Sequence, residues 1–298
     1  MTSICQKHPV SARKVLTWMG LPESSYYYKD SDKRKGAKPS MYTMHTNKGL
    51  VKEQEVVADI KTVLEHEFID CGYKIMAAYL KQAGYIINHK KVYRIMQNNG
   101  LLKANARISR NPGGKKYVRF RKVETHYPMQ CLEMDIKMIW IPNKGKNAYL
   151  LSVIDVHTRK ILRYKLDWNM KQDAVIKVLS AIIERYGIAA EMIIRSDNGS
   201  QFIANSVREY ISLMGIEQEF THVATPEENA HIESYHGTLK RDIFDRIEYS
   251  NFGEIEQVIK RYVKFYNEER LHGKLGRITP NSKWEKDQHL IPKRLISA

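Results

Sequence analysis

The run CLEMDIKMIWI, from Cys131 to Ile141, alternates at a period of two, the signature of a β-strand with two distinct faces. Leu132, Met134, Ile136, Met138 and Trp140 fall on one face and Glu133, Asp135 and Lys137 on the other, so Asp135 points away from the apolar row. Two more strand-like runs follow, Ala148 to Asp155 and Lys160 to Leu166, with the turn sequences NKGKN and VHTR between them. Three strands in succession predict a meander. Beyond it, 172–186 reads as an apolar-periodic helix, Glu191 to Arg195 as a buried strand, 205–214 as a helix and Gln218 to His222 as a short strand. The domain is therefore mixed α/β.

Charge divides the chain. Of its 298 residues, 1–125 hold 24 Lys/Arg against 10 Asp/Glu, whereas 126–298 hold 25 against 23. A basic module joined to a nearly neutral domain suits a polyanion partner, of which nucleic acid is the commonest; a solvated charged surface is the plainer meaning. With 43% hydrophobic residues the chain can bury a large core plus smaller modules, which argues against wholesale disorder. Cys5, Cys71 and Cys131 are too scattered for a disulfide framework or a zinc knuckle, so a reducing compartment is expected. No apolar run approaches the roughly 18 residues of a membrane span, and the polar start lacks a signal-peptide core, so the expectation is a cytoplasmic protein with no membrane partner.

The basic part reads as helical modules. Residues 11–20 predict a short helix ended by Gly20, with a second start at LPESSYYY, which is helix-turn-helix spacing. Lys29, Lys33, Arg34, Lys35 and Lys38 then mark a linker. Val56, Val57, Ile60, Val63, Leu64 and Phe68 form one apolar stripe, and Ile75, Met76, Tyr79 and Leu80 a second that Gly84 stops. A third helix starts at the N-cap Asn88, with Val92, Ile95 and Met96 inward and Lys90, Lys91 and Arg94 outside. Three short helices ending in a basic one suit a reader of the DNA major groove; a small bundle with a solvated basic face fits the same pattern. Lys103, Arg107, Arg110, Lys115, Lys116, Arg119, Arg121 and Lys122 follow without an acid, and with Tyr117 and Phe120 between them, as a phosphate-tracking linker would.

Three acids stand out in the α/β domain. Asp197 ends the buried strand in an Asn-Gly turn, where α/β sheets place ligand-binding residues, and also where any turn-forming Asp would sit. Glu233 lies on a helix expected from about Asn229 to Arg246, which buries Ile232, Tyr235, Leu239 and Ile243. Lys240, seven residues on, shares its side at about 10 Å of rise, too far for a salt bridge. With Asp135 the three would repel unless divalent cations neutralise them, and oxygen-only ligands favour Mg²⁺ or Mn²⁺. Asp155 is a rival for the set but is better read as capping its turn, and His157, His222, His231 and His236 read as surface or DNA-side residues.

Gly72-Tyr73-Lys74, Lys91 to Met96, Asp135-Ile136, Ile154-Asp155 with Thr158-Arg159, Ser196 to Phe202, Asn229-Ala230 to Glu233, and Tyr266-Asn267, Arg270, His272 and Thr279-Pro280 occur in this order. In this the chain resembles the OrfB catalytic subunit of insertion-sequence-three-type transposases, members of the DDE superfamily with retroviral-integrase-like cores. The 35 residues between Asp197 and Glu233, and Lys240 two turns beyond, are the most specific elements. Leu132 and Lys137 stand where the family usually has Trp and Thr, and Thr-Pro-Glu-Glu-Asn-Ala replaces its common Lys-Gly-Asn-x-x-Asp-Asn-Ala, which bears on subgroup and leaves the three acids in place.

The resemblance implies an α/β fold, with an RNase H-like mixed-sheet catalytic core at 126–275. Before it would come small all-α helix-turn-helix-type modules, a short helical segment at 1–45 and a DNA-binding module at 46–104, then a basic linker at 105–125; a tail would follow at 276–298. It implies catalytic Asp135, Asp197 and Glu233 holding two Mg²⁺ ions, with Mn²⁺ as a substitute, about 3.5 to 4 Å apart as in other two-metal sites. Water would cut at transposon ends and the freed 3′-OH would attack target DNA, a step needing no nucleotide-binding loop, and none is present. Partners would be double-stranded DNA, namely terminal inverted repeats and target, further copies of the chain on that DNA, and an upstream-frame OrfA product, in a bacterial, nucleoid-associated setting. Lys240, Lys90, Lys91, Arg94, Arg107, Arg110, Lys115, Lys116, Arg119 and Arg121 are the expected DNA contacts. The rival reading is a non-catalytic DNA-binding protein or repressor derived from a transposase; a retroviral-type integrase would need a His-His-Cys-Cys zinc module, which is absent.

Overall fold

The computed structural model describes residues 10–27, 39–103, 124–222 and 226–292. The chain divides into two compact units, Met1–Met41 and Tyr42–Ala298. In the first, helices α1 (Ala12–Trp18) and α2 (Glu23–Tyr26) are separated by Gly20, whose φ of 64° is the left-handed turn that ends α1. This is the helix-turn-helix spacing the sequence predicts; Lys29, Lys33, Arg34, Lys35 and Lys38 lie outside the described residues.

The second unit opens with a three-stranded antiparallel sheet in the order β2-β1-β3, made of β1 (Tyr42–His45), β2 (Gly49–Lys52) and β3 (Tyr85–Ile86). Against it pack α3 (Glu53–Leu64), α4 (Tyr73–Gln82) and α5 (His89–Asn98), whose Val56, Ile60, Met76, Leu80, Val92, Ile95 and Met96 form the buried cluster that periodicity predicts. The Asn88 side chain accepts from Lys91 N at 2.8 Å and caps α5. The sequence predicts an all-α module; the structure adds the sheet, whose strands of two to four residues are too short to display alternation. Since β1 starts at Tyr42, the expected boundary after residue 45 falls inside its hairpin with β2.

The larger sheet runs in the order β6-β5-β4-β7-β8, from β4 (Cys131–Ile141), β5 (Lys146–Asp155), β6 (Ile161–Asp167), β7 (Ile193–Ser196) and β8 (Glu217–Phe220). β4, β5 and β6 form the expected antiparallel meander, and β7 and β8 run parallel to β4. This mixed order is the RNase H-like arrangement. One apolar cluster joins Leu132 and Met134 of β4 to α6 (Gln172–Tyr186), the short α7 (Ser200–Ile203) and α8 (Asn205–Leu213). A second joins Ile139 and Ile141 to α9 (Ala230–Leu239) and α10 (Phe252–Glu268).

Packing on both faces corrects the expected apolar row. Leu132 and Met134 are wholly buried, yet Met138 and Trp140 on the same face are 63% and 54% exposed, while Ile139 and Ile141 of the opposite face are buried. Asp135 sits where the strand passes from one core to the other. The α10 helix, unassigned from sequence, also receives the helical module: Phe68 meets Tyr262 edge-on at 5.3 Å, and Arg261 pairs with Glu67 at 2.8 Å. The expected tail at 276–298 is structured at its start, where α11 (Pro280–Asp287) buries Trp284 in the first core and Asp287 pairs with His157 at 2.7 Å. Among the described residues no helix is long and apolar enough to cross a membrane.

Helix α9 is fixed to β4 by one carboxylate. Glu133 is fully buried; its Oε2 accepts from the backbone N–H groups of His231 and Ile232, both at 2.9 Å, and its Oε1 lies 2.6 Å from His231 Nδ1. A strand side chain thus supplies the cap that no residue of the helix provides. Glu133→Ala, which strands two buried backbone donors and a ring nitrogen, is expected to lower unfolding free energy by about 3 kcal/mol or more; urea unfolding would measure it, and a loss within about 0.5 kcal/mol, the range of ordinary surface changes, would contradict this account.

Candidate active site

Asp135 occupies the middle of β4 opposite Ser152 of β5, with its side chain 24% exposed. Glu233 projects from the first turn of α9 at an exposed position. His236, one turn further along α9, places Nδ1 3.2 Å from Asp135 Oδ2. Burial first, and then the negative charges of Asp135 and Glu133, push the Glu233 carboxyl above the usual range. The anchored helix therefore brings the charge of Asp135 to bear on Glu233.

Asp197 follows β7 directly. The parallel register sets Cys131 beside Ile193 and Glu133 beside Arg195, and β7 ends at Ser196, so Asp197 begins the turn just beyond the paired segment. The Asp197 side chain stays on its own turn: Oδ1 accepts from Gly199 N at 2.9 Å, while the turn is tied down by Asn198 Nδ2 donating to Thr221 O at 3.0 Å. A Cβ at Gly199 would come within 3.0 Å of Asp197 Oδ1, so a side chain there would press on the acid. Among the described residues no three His, Cys, Asp or Glu side chains converge closely enough to hold a metal ion. Two acids are thus brought together, and the third stands at the next strand end with its carboxylate on the turn. The three side chains offer only carboxylate oxygens, the donor chemistry that a hard divalent cation prefers.

Asp155 is excluded by its bonds. It is fully buried and accepts from Met129 N at 2.8 Å, Thr158 N at 2.8 Å and Thr158 Oγ1 at 2.6 Å, the turn cap that the sequence suggests. The expectation of surface histidines holds only for His222; His157 is paired with Asp287, and His231 and His236 are engaged with Glu133 and Asp135. Sequence reasoning also missed Arg195, whose Nη2 pairs with Glu219 at 2.5 Å and whose Nη1 donates to Glu228 O at 2.9 Å, tying β7 to the segment that enters α9. A Glu two residues before the strand Asp, and an Arg inside a buried strand, were the available signals, since buried charges require partners.

Among the expected DNA contacts, Lys240 is exposed at the end of α9, where the helix loosens into a π-type turn over Lys240–Phe244. Lys90 is exposed as well. Lys91 and Arg94 are less available than expected: Lys91 donates to Tyr42 O and Arg94 pairs with Glu53 at 2.5 Å, because their flank of α5 faces β1 and the start of α3. Arg107, Arg110, Lys115, Lys116, Arg119 and Arg121 lie outside the described residues.

The family matches agree with this architecture. Residues 125–226 and 214–280 match Integrase core domain families, together spanning more than half of the chain, and residues 52–108 match an HTH-like domain. A 31.7 kDa protein of insertion element IS407 from Burkholderia multivorans is 24% identical over 281 residues, 94% of this chain and 93% of that one. The transposase for insertion sequence element IS904 from Lactococcus lactis is 24% identical over 76% of this chain and 93% of its own length. A solved simian T-cell lymphotropic virus intasome chain is similar with a TM-score of 0.48 at 14% identity, covering 80% of this chain and 79% of that chain. The chain belongs to the integrase-core transposases of insertion sequences, in the insertion-sequence-three pattern of an HTH-like domain followed by a metal-dependent core that performs polynucleotidyl transfer on DNA.

Proposed function

We propose that Asp135, Asp197 and Glu233 are the catalytic acids and hold two Mg²⁺ ions, for which Mn²⁺ can substitute, in cleaving transposon ends and joining them to target DNA. The observation that carries this reading is the raised carboxyl of Glu233 beside Asp135, on a helix whose N-terminus is bonded to the same strand. When bound, the ions supply charge neutralisation and Lewis-acid activation at the scissile phosphodiester. The residues of the chain position that chemistry. Glu133 and Asp155 keep their full sets of donors and remain structural. His236 steadies Asp135 from α9, and Asp197 joins the pair by giving up one hydrogen bond to Gly199 N.

Lys240, on the side of α9 that carries Glu233, meets a backbone phosphate beyond the reacting one, and Lys90 with the basic stretch 103–122 follows the duplex on either side. Assembly of several chains on paired ends, and cooperation with an upstream-frame OrfA product, belong to the same reading.

Two outcomes are expected. Purified chain given labelled transposon-end DNA and Mg²⁺ or Mn²⁺ should nick it, and Asp135→Asn, Asp197→Asn or Glu233→Gln should each lower the rate by at least about a hundredfold, the scale of losing one group that acts on transition-state charge; equal nicking by wild type and Asp197→Asn would reject the assignment. The second concerns stability. A carboxyl raised in the folded state costs stability when ionised, so without divalent metal Glu233→Gln should raise the melting temperature at pH 7 to 8, and the gain should fade as pH drops through the raised value. Thermal unfolding against pH measures this, and a Glu233→Gln chain less stable at neutral pH would refute the repulsion.

A further inference from the structure

Behind the acid site, between α9, the turn that follows β5 and the loop that follows α10, lies a cavity of about 590 Å³. Arg159, Arg270 and Lys274 line it, together with His272 and the hydroxyl-bearing Ser234 and Thr238 of α9, and no carboxylate is among its lining residues. Ser234 is the neighbour of Glu233, so the cavity opens about 100° round the helix from that acid.

Two of the lining residues each carry a buried nitrogen without a hydrogen-bond partner among the described residues: Arg159 Nη1 and His272 Nε2. Such atoms are costly to leave unpaired, and both belong to residues that line this cavity. Arg159 is moreover held at a left-handed φ of 63°, a conformation non-glycine residues seldom adopt. Burial, with Arg270 and Arg159 alongside, pushes His272 down to about 3, so its ring is neutral and can present N–H to an acceptor. The buried acids Glu133 and Asp242 each hold donors of the protein, Asp242 through Oδ2. Glu133 is bonded to His231 and the start of α9, and Asp242, fully buried, accepts from Arg270 Nη1 at 2.6 Å and Tyr262 Oη at 3.1 Å. A group that enters meets cations and polar hydrogens but no free carboxylate.

We infer that this cavity is a phosphate-binding site, in which Arg159, Lys274 and His272 take one backbone phosphodiester of the DNA strand presented to Glu233. Guanidinium and ammonium groups around the cavity suit a tetrahedral anion, and a phosphate held one face round α9 fixes the strand relative to the acids without touching the reacting atoms. Its source as DNA rests on the proposed function; the site itself rests on the cavity alone.

The test uses the full chain without divalent metal, its thermal unfolding followed in inorganic phosphate and in chloride at equal ionic strength. Phosphate should raise the melting temperature, and Arg159→Gln and Lys274→Gln should each weaken the apparent phosphate affinity about tenfold, whereas Lys144→Gln, exposed and outside the cavity, should not. Lys274 is exposed, so its variant keeps the test open if Arg159→Gln fails to fold. In a second arm, the salt slope of duplex DNA binding should fall by about one in either variant. An equal melting temperature in phosphate and chloride, or a phosphate effect kept by both variants, overturns the site. A phosphate effect lost in the variants with an unchanged DNA slope overturns the DNA source and assigns the cavity to a free phosphate. Absence of Mg²⁺-dependent nicking alongside an intact phosphate effect would count against the acid triad alone.

Discussion

A carboxylate buried in a β-strand, bonded to the N–H groups that start a helix and have no partner within it, is the contact on which this architecture turns. Glu133 is shut off from solvent, so its oxygens rely on the two backbone donors and the ring nitrogen supplied by His231 and Ile232. Helix α9 in turn has no cap of its own. Each covers the other's deficit. Because Asp135 lies two residues along the same face of β4, and Glu233 begins the residue after the second capped N–H, anchoring the helix and assembling the acids are one event. His236 repeats the link one turn later through Asp135 itself.

Much of this was legible in the sequence, and the failures have physical causes. The meander, α6, α8 and the burial of Ile232, Tyr235, Leu239 and Ile243 followed from apolar periodicity, which survives wherever one face of an element is buried. It misled in β4, where each end packs a different face, so that Met138 and Trp140 are exposed while Ile139 and Ile141 are not. The small β1-β2-β3 sheet was too short to leave a pattern. In the sequence Glu133 is one more polar residue on the Asp135 side, because nothing local tells a solvated strand Glu from one that caps a helix almost a hundred residues away. The three proposed acids stand out by their order and spacing and by family resemblance, whereas the pairing of His236 with Asp135 carries no signal beyond its place one turn after Glu233.

The site also shows how charge is distributed for use. Negative potential is concentrated where Asp135, Glu133 and Glu233 meet, at a cost visible in the raised Glu233 carboxyl. Positive potential lies around it, at Lys240 on the same side of α9 and in the cavity of Arg159, Arg270 and Lys274 on the next. Cations flanking an acidic centre suit a polyanion whose backbone must approach carboxylates that would otherwise repel it.

The decisive measurement is anomalous diffraction from crystals of the chain soaked in Mn²⁺. The account expects manganese bound by Asp135, Asp197 and Glu233, with Asp197 Oδ1 released from Gly199 N and Glu133 still bonded to the start of α9. Manganese bound elsewhere, or absent from these acids while Asp197 stays on its turn, would contradict it.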